Sequence, residues 1–425
     1  MSLLCVRHGR ETRISNDFSL CQDAQIRHSL TNGMIKTIKI RDFKSIREVE
    51  LELDPVTVLV GRSGTGKSNL VQAIRFLRNI LLDFNEAIQY ERGWPHISPV
   101  GATNPKTSIE VSFSVPGEEQ DFNYCIGFGN LVNNPSARVL TEERLSLGKE
   151  QIFSRQRNLN NAWAWGIIPK VSPLPHVGHD TPMLGVFPSL QKVVFANAAL
   201  STGIGYYHFP STTLSFLSPQ QHGQNFLQKI PGLSDNAANY REVMRGITQD
   251  FHHPNIRKNL MASLQAVNPS IVSVELDSLT NPSRAIIAHK AAGQVFELSL
   301  EQESDGLRRF YAHLLALYQT PSKLALVFEE PENAIFPGAL SLLADEFKAA
   351  PRENRGQVIL TTHNPIFLDS FDVDNVRAVD MQDGKTIVGR VSKEQRQAVK
   401  DKLLTTGDLL TVDRAKLDDT AKPQQ

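Results

Sequence analysis

The 425-residue sequence has few cysteines, no long apolar run and no excess of either charge. Its three cysteines, Cys5, Cys21 and Cys125, are too few and too scattered for a disulfide framework or a zinc site. No apolar run reaches the roughly 18 residues that a membrane-spanning helix needs, and the N-terminus lacks the apolar stretch of a secretory signal. These absences predict a cytoplasmic protein with no membrane partner.

The charge balance narrows the classes of partner. Lysine and arginine together number 45, as do aspartate and glutamate, so the formal net charge is zero. A protein that holds nucleic acid over its whole surface usually carries a clear basic excess. A general nucleic-acid clamp is therefore disfavoured, whereas a local basic patch is compatible with the composition.

A glycine-rich loop between a predicted strand and a predicted helix is the most specific motif. The β-branched run Val56–Val60 is typical of a strand buried on both faces, and apolar residues at helical spacing follow the loop. Loop backbone N–H groups would surround a β-phosphate, Lys67 would reach the β and γ oxygens, and the Ser68 hydroxyl would ligate Mg²⁺. The sequence thus predicts ATP and Mg²⁺ as ligands. The candidate binding residues are Gly61, Arg62, Ser63, Gly64, Thr65, Gly66, Lys67, Ser68 and Asn69.

Helices and strands alternate again after residue 298, which predicts a parallel sheet covered by helices. The expected elements are a helix over 304–317, a strand over 324–328, a helix over 339–349 and a strand over 357–361.

Two of these predicted strands end in polar side chains, Glu329-Glu330 and His363. Ligands of open α/β folds bind at the carboxyl ends of the strands. We therefore predict that Glu329 holds the metal, that Glu330 polarises the attacking water as general base, and that His363 senses the γ-phosphate; Lys67 completes the candidate catalytic set. Alone, either group has a simpler explanation, a solvated turn for the glutamates and a structural role for the histidine.

A Ser-Asp-Gly sequence, Ser304 to Gly306, opens the predicted helix 25 residues before Glu329. A helix N-terminus offers a hydroxyl and backbone N–H groups to an anion. Taken alone it is an ordinary helix cap, and its position relative to the glutamates makes it a candidate binding element.

Together these motifs resemble the ATP-binding-cassette (ABC) type of P-loop ATPase, the group that includes SMC proteins, the RecF recombination mediator and OLD-family ATPases. The loop 61–68 is similar to Walker A, 304–306 to the signature motif, 329–330 to Walker B with its catalytic glutamate, and His363 to the switch histidine. The resemblance covers residues 35–82 and 298–369 and is weak between them. It is greatest to the compact OLD-like ATPases of bacterial anti-phage systems.

The sequence departs from the family pattern at two positions. Glu329 stands where Walker B usually has aspartate, and Phe336 stands where relatives often have histidine. The first substitution keeps a carboxylate on a longer side chain, and the second removes a histidine whose role cannot be transferred.

The resemblance implies an α/β fold: an ABC-type ATPase head with a mixed sheet around a parallel P-loop core, an antiparallel β subdomain, and a helical or irregular inserted lobe. The expected divisions are an N-terminal extension (1–33), the first part of the head with Walker A (34–90), the inserted lobe and remaining β subdomain (91–297), the second part of the head with signature, Walker B and switch histidine (298–390), and a C-terminal helix and tail (391–425).

The resemblance also implies a mechanism that needs two copies. A homodimer, or a higher homo-oligomer, would enclose two ATP molecules, with Lys67, Ser68 and Glu330 of one copy facing Ser304 and Gly306 of the other. Hydrolysis would then release the closed state.

The leading functional hypothesis is an ATPase that acts as sensor or scaffold and regulates an effector protein from the same operon, a nuclease or toxin, in anti-phage defence. Because only 56 residues follow Asp369, we expect no nuclease domain within this sequence. The alternative is a DNA-repair ATPase of the RecF or SMC kind that binds DNA when ATP is bound. A transporter subunit is the least favoured class, because the region before the signature is long and irregular.

Overall fold

The structure is a computed structural model. It describes residues 33–102, 105–131, 134–157, 162–167, 181–187, 189–214, 230–250, 255–277 and 284–418. The predicted N-terminal extension therefore lies almost wholly outside the described residues.

The strands are of two kinds, the short buried strands of a parallel core and the strands of antiparallel sheets. In chain order they are β1 (Met34–Phe43), β2 (Ile46–Glu52), β3 (Val56–Val60), β4 (Thr107–Ser114), β5 (Phe122–Leu131), β6 (Asn134–Leu147), β7 (Glu150–Arg157), β8 (Trp163–Ile167), β9 (Ile204–Tyr207), β10 (Ile271–Asp277), β11 (Arg284–Ala291), β12 (Gln294–Ser299), β13 (Ala325–Glu329), β14 (Gln357–Thr361), β15 (Val376–Gln382) and β16 (Lys385–Arg390).

The helices fall mainly between the strands of the second half of the chain. In chain order they are α1 (Lys67–Leu82), α2 (Phe84–Tyr90), α3 (Trp94–Ile97), α4 (Gln191–Leu200), α5 (Tyr240–Gln249), α6 (Asn255–Val267), α7 (Asp305–Tyr318), α8 (Pro337–Arg352), α9 (Pro365–Leu368), α10 (Lys393–Lys400) and α11 (Asp408–Thr411).

A six-stranded sheet in the order β16-β15-β3-β14-β13-β9 carries the predicted motifs. Strands β15, β3, β14, β13 and β9 run parallel, and β16 closes one edge as an antiparallel hairpin with β15. Strand β3 is buried at every position, as its β-branched sequence predicts. Alternate residues of β3 face α1 on one side of the sheet and the α7 and α8 layer on the other, as Leu59 and Val58 illustrate.

A second, antiparallel sheet packs on the far side of α1, in the order β2-β1-β4-β5-β6-β7-β8. Helix α1 lies between the two sheets, and its Phe76 ring packs against Phe43 of β1 at 5.5 Å and Phe128 of β5 at 6.0 Å. The helix that follows the glycine loop is thus held from both sides. A displacement of α1 would disturb both sheets.

A three-stranded sheet, β10-β11-β12, leads into the signature segment through a short 3-10 helix, Leu300–Gln302. Helices α5 and α6 pack together with this sheet against α7 and α8. These elements form a hydrophobic core on the face of the six-stranded sheet opposite α1. The C-terminal segment folds back on β16 through a bridge between Val391 and Leu417. It carries helices α10 and α11.

The predicted fold class is confirmed, since a mixed α/β structure surrounds a parallel core that contains the glycine loop. The division of the chain into five parts stays a prediction. In the described ranges no helix is long and apolar enough to cross a bilayer.

Candidate functional site

The glycine loop connects the end of β3 to the first turn of α1. Gly66 is the N-cap of α1 and has a φ of 100°, in the left-handed region that favours glycine. A Cβ atom on Gly66 would lie 2.1 Å from the Oγ1 atom of Thr386, and one on Gly61 would lie 2.0 Å from the carbonyl oxygen of Val379. Gly64 also has a positive φ, of 81°, but has open space around it. The loop therefore needs two of its glycines for close packing and the third for backbone conformation alone.

This difference predicts unequal effects of two similar substitutions. Gly64→Ala should reduce the free energy of unfolding by about 1–2 kcal/mol, the usual cost of a left-handed non-glycine residue. Gly66→Ala should cost roughly 1–3 kcal/mol more, because the added methyl group must displace the Thr386 hydroxyl. Denaturant unfolding of both variants measures the difference, and equal destabilisation would show that contact with Thr386 does not constrain the loop.

Lys67 is the most buried charged group of the loop, with 4% of its surface exposed. Its Nζ atom donates hydrogen bonds to the carbonyl oxygens of Gly61 and Arg62, both at 2.8 Å. Burial lowers the pKa of Lys67 to about 8, and the negative charge of Glu330 opposes that shift. The ammonium group is thus held inside the loop and interacts electrostatically with the Glu330 carboxylate, which follows β13.

The last two residues of the predicted binding loop have different surroundings. Ser68 lies half-buried in the first turn of α1. Asn69 donates from Nδ2 to the Ser45 hydroxyl at 2.7 Å, and Ser45 is in turn 2.6 Å from the Thr386 hydroxyl. Its side chain therefore connects α1 to the β1–β2 turn and to β16.

Glu329 and Glu330 lie at the carboxyl end of β13, beside the glycine loop. The Oε2 atom of Glu329 accepts a short hydrogen bond from the phenol of Tyr206. Glu330 has a φ of 48°, and its N–H donates to the Thr361 hydroxyl at 3.1 Å. Its Oε2 atom accepts from Nδ2 of Asn333 at 2.9 Å. A non-glycine residue in the left-handed region is often found where a site imposes the backbone conformation.

His363 follows β14, the strand between β3 and β13. Its Nε2 atom is 3.4 Å from Oε1 of Glu330. Burial, together with the positive charge of Lys67, lowers the pKa of His363, and Glu330 opposes the shift. This lowered pKa favours the neutral imidazole, which can accept a proton at one ring nitrogen and donate a hydrogen bond from the other. The structure brings Lys67, Glu330 and His363 together, as their places after neighbouring parallel strands predict.

Glu332 fixes the backbone at His363, a contact that the sequence did not reveal. Its Oε1 atom accepts from the Thr362 hydroxyl at 2.7 Å and from the His363 N–H at 3.0 Å. Burial raises the pKa of Glu332. The sequence shows a third acidic residue, Glu332, close after Glu329 and Glu330. Only the fold shows that its carboxylate reaches the end of β14.

Ser304 and Gly306 lie at the start of α7, against the segment that follows the carboxylates. The Ser304 hydroxyl accepts from the Leu307 N–H at 3.3 Å, as a helix cap does. A Cβ atom on Gly306 would be 2.8 Å from the Ala334 carbonyl oxygen, and Arg309 donates to the Asn333 carbonyl oxygen at 2.9 Å. The signature segment is therefore packed against residues 333–334 of the same copy.

A cavity of about 940 Å³ adjoins the loop. Gly61, Arg62 and His363 line it on one side, and Lys393 and Arg414 of the C-terminal segment line it on the other. The C-terminal segment thus forms a wall beside the glycine loop.

The residues present fit a magnesium nucleotide. Mg²⁺ is usually held by one or two carboxylates together with substrate phosphates rather than by a cage of protein ligands. Glu329 offers a carboxylate and Ser68 a hydroxyl, beside a loop whose open glycine leaves room for phosphate. Among the described residues, no group of three or more His, Cys, Asp or Glu side chains could hold a metal ion by itself.

Two family models match separate parts of the chain. One, described as "AAA ATPase domain", matches residues 34–162. The other, described as "AAA domain, putative AbiEii toxin, Type IV TA system", matches residues 232–369. The first contains the glycine loop, and the second contains the signature segment, both carboxylates and His363.

Among curated proteins, the chain is similar to an OLD nuclease of Thermus scotoductus. The two are 20% identical in an alignment of 385 residues, and the match covers 86% of this chain and 66% of the relative. The chain therefore spans about two thirds of the length of the curated relative it matches.

Among solved structures, the fold is similar to SMC heads. One is an SMC head bound to the C-winged helix domain of ScpA, with a TM-score of 0.51 and 17% identity over 85% of this chain and 99% of that one. Another is an SMC head with an extended coiled coil, bound to the C-terminal domain of ScpA, from Pyrococcus furiosus. Its TM-score is 0.51, with 14% identity over 87% of this chain and 99% of that one.

The motifs converge at one edge of a parallel sheet, the two AAA models contain them, and the fold is that of an SMC head. The chain is therefore similar to the ABC-type P-loop ATPases of the group that contains the SMC and OLD proteins.

Proposed function

We propose that the chain binds and hydrolyses ATP with Mg²⁺, and that ATP binding closes two copies of the chain over two nucleotides. In this proposal the cycle of closing and opening regulates a partner effector, a nuclease or toxin, in anti-phage defence. The observation that carries the proposal is the convergence of Lys67, Glu330 and His363 beside the glycine loop.

Each group at this edge has a distinct task in the proposed reaction. Lys67 leaves the carbonyl oxygens of Gly61 and Arg62 and binds the phosphate oxygens instead. Glu330, fixed by Asn333 and Thr361, accepts the proton of the attacking water. His363, adjacent to Glu330, contacts the γ-phosphate. Ser68 and Glu329 would hold Mg²⁺, which when bound neutralises charge on the phosphates.

The place of the signature segment supports the proposed second copy. Gly306 packs against Ala334 of its own copy and the Ser304 hydroxyl caps its own helix, so we assign the anion-binding face of this helix start to the nucleotide of the other copy. Two exposed apolar side chains near this edge support an interface with a second copy. Phe336 is 70% exposed and Ile366 is 61% exposed. Large apolar groups that are exposed in one copy are commonly buried in an interface.

The names of the similar proteins and family models support the regulation of a partner protein. The SMC heads are bound to domains of a second protein, and one family model is described in terms of a toxin system. The balanced charge of this chain is also compatible with a protein partner.

Co-purification from the native operon tests the regulatory part of the proposal. The tagged chain should retain a neighbouring gene product in one nucleotide state and release it in another, and Lys67→Ala should fix the complex in its nucleotide-free state. If no neighbour is retained with ATP, with ADP or without nucleotide, effector regulation is wrong. ATP-dependent binding of DNA alone would instead favour the repair function.

A further inference from the structure

Tyr206 lies beside the residue at which this sequence departs from the usual Walker B motif. Glu329 occupies the position of the customary aspartate and has one more rotatable bond. The longer side chain has more conformations to lose when it is fixed. The phenol of Tyr206 donates a hydrogen bond to Oε2 of Glu329. One carboxylate oxygen is thereby held, and the other is available to the metal shell.

The strand register explains how Tyr206 reaches this carboxylate. Strand β9 runs parallel to β13 at the edge of the sheet, with Tyr206 opposite Val327. Glu329 lies two residues further along β13, so its side chain emerges on the same face as Val327. The Tyr206 ring lies on that face, 2% exposed, and its hydroxyl reaches the end of the strand.

The Tyr206 ring contacts a charged side chain of α1, which is itself part of a group of ion pairs. The guanidinium of Arg75, on α1, lies 4.9 Å from the centre of the Tyr206 ring. Arg75 is paired with Glu91, which also binds Lys44 at 2.8 Å. A series of contacts therefore connects the β1–β2 turn, through Arg75 of α1 and the Tyr206 ring, to the Glu329 carboxylate.

We propose that Tyr206 is a positioning residue for the magnesium site, which holds Glu329 so that a glutamate can serve where the motif usually has aspartate. This inference rests on the proposed ATPase function and concerns the same site. Tyr206 and Glu329 form a matched pair: without the phenol the longer carboxylate must be ordered by the metal itself, which weakens metal binding.

The test measures the affinity for a non-hydrolysable ATP analogue by calorimetry, with Mg²⁺ and with EDTA. The ratio of the two affinities is the gain due to Mg²⁺. Tyr206→Phe should reduce that gain about ten-fold, the usual effect of removing a hydrogen bond to a charged group, and leave the affinity in EDTA unchanged. Phenylalanine keeps the ring that Arg75 contacts, and the unfolding temperature checks the fold.

Tyr207→Phe is the matched control on the same strand. Tyr207 faces the opposite side of the sheet, where its hydroxyl accepts from Nε2 of Gln319 at 2.7 Å. Removing that hydroxyl should leave the gain due to Mg²⁺ unchanged, even where it lowers stability.

A double-mutant comparison separates a matched pair from two independent effects. Glu329→Asp should reduce the Mg²⁺ gain in the wild-type background, because aspartate is too short to accept from Tyr206, and should reduce it little further in Tyr206→Phe. Additive losses, an unchanged gain in Tyr206→Phe, or an equal loss of affinity in EDTA would each overturn the inference. A wild-type chain that binds no analogue would overturn the proposed function and this inference with it.

Discussion

Lys67→Ala is expected to abolish ATP binding. The ammonium group is buried in the loop and hydrogen-bonded to two loop carbonyl oxygens, so it is placed to neutralise the β and γ phosphates from a partly desolvated position. An interaction of this kind is far stronger than one at an exposed surface. Calorimetric titration with ATP and Mg²⁺ should show no measurable heat of binding, and hydrolysis should fall to background.

Lys39→Ala is the matched control for the loss of a lysine. Lys39 is an exposed residue of β1, paired with Glu50 at 3.1 Å. Exposed ion pairs contribute little to stability, so this variant should bind and hydrolyse ATP as the wild type does. Retained ATP affinity in Lys67→Ala would show that the glycine loop is not the nucleotide site.

Glu330→Gln is expected to separate binding from hydrolysis. Glutamine keeps an oxygen that can accept from Asn333 and preserves the shape of the side chain, but it cannot take a proton from water. Loss of a general base commonly lowers a rate by about 10²- to 10⁴-fold. The rate of phosphate release should fall by this amount while ATP affinity is kept, and closed dimers should accumulate.

Two measurements on Glu330→Gln decide between the possible outcomes. Mass measurement with ATP should show a dimer that is absent without nucleotide, and a phosphate-release assay should show the lost rate. Hydrolysis at the wild-type rate would show that another group is the base. A loss of ATP affinity would show that the negative charge of Glu330 contributes to ATP binding through its electrostatic interaction with Lys67.

Local sequence signals were sufficient for the core of the site. The strand predicted over 357–361 has the bounds observed for β14, and the strand predicted over 324–328 is displaced by one residue from β13. Apart from Glu329 at the end of β13, these elements are buried runs bounded by turn residues, so short-range patterns determine them. The places of Glu330 and His363 follow directly, because parallel neighbouring strands end at one edge.

Contacts made between distant segments could not be predicted from one sequence. Strand β9 is only four residues long and its pairing with β13 joins positions more than a hundred residues apart, so nothing local indicated that Tyr206 meets Glu329. Likewise Asn69, predicted as a nucleotide ligand, has an amide that binds Ser45. Such partners depend on which strands and turns become neighbours, which hydrophobic periodicity does not encode.

The central claim is that one copy's phosphate loop works with the other copy's signature segment, and mixing two inactive variants tests it most directly. Lys67→Ala lacks a working loop, and Ser304→Arg places a bulky group at the signature, at a cost of about 1 kcal/mol for the lost helix cap. Each alone should be inactive, with a folded state verified by its unfolding temperature.

An equal mixture should regain about one quarter of the wild-type hydrolysis rate, because half of the dimers are mixed and each of these contains one intact site of two. If the mixture stays inactive while both variants are folded and form dimers, or if Ser304→Arg alone hydrolyses ATP at the wild-type rate, the site is not shared between copies.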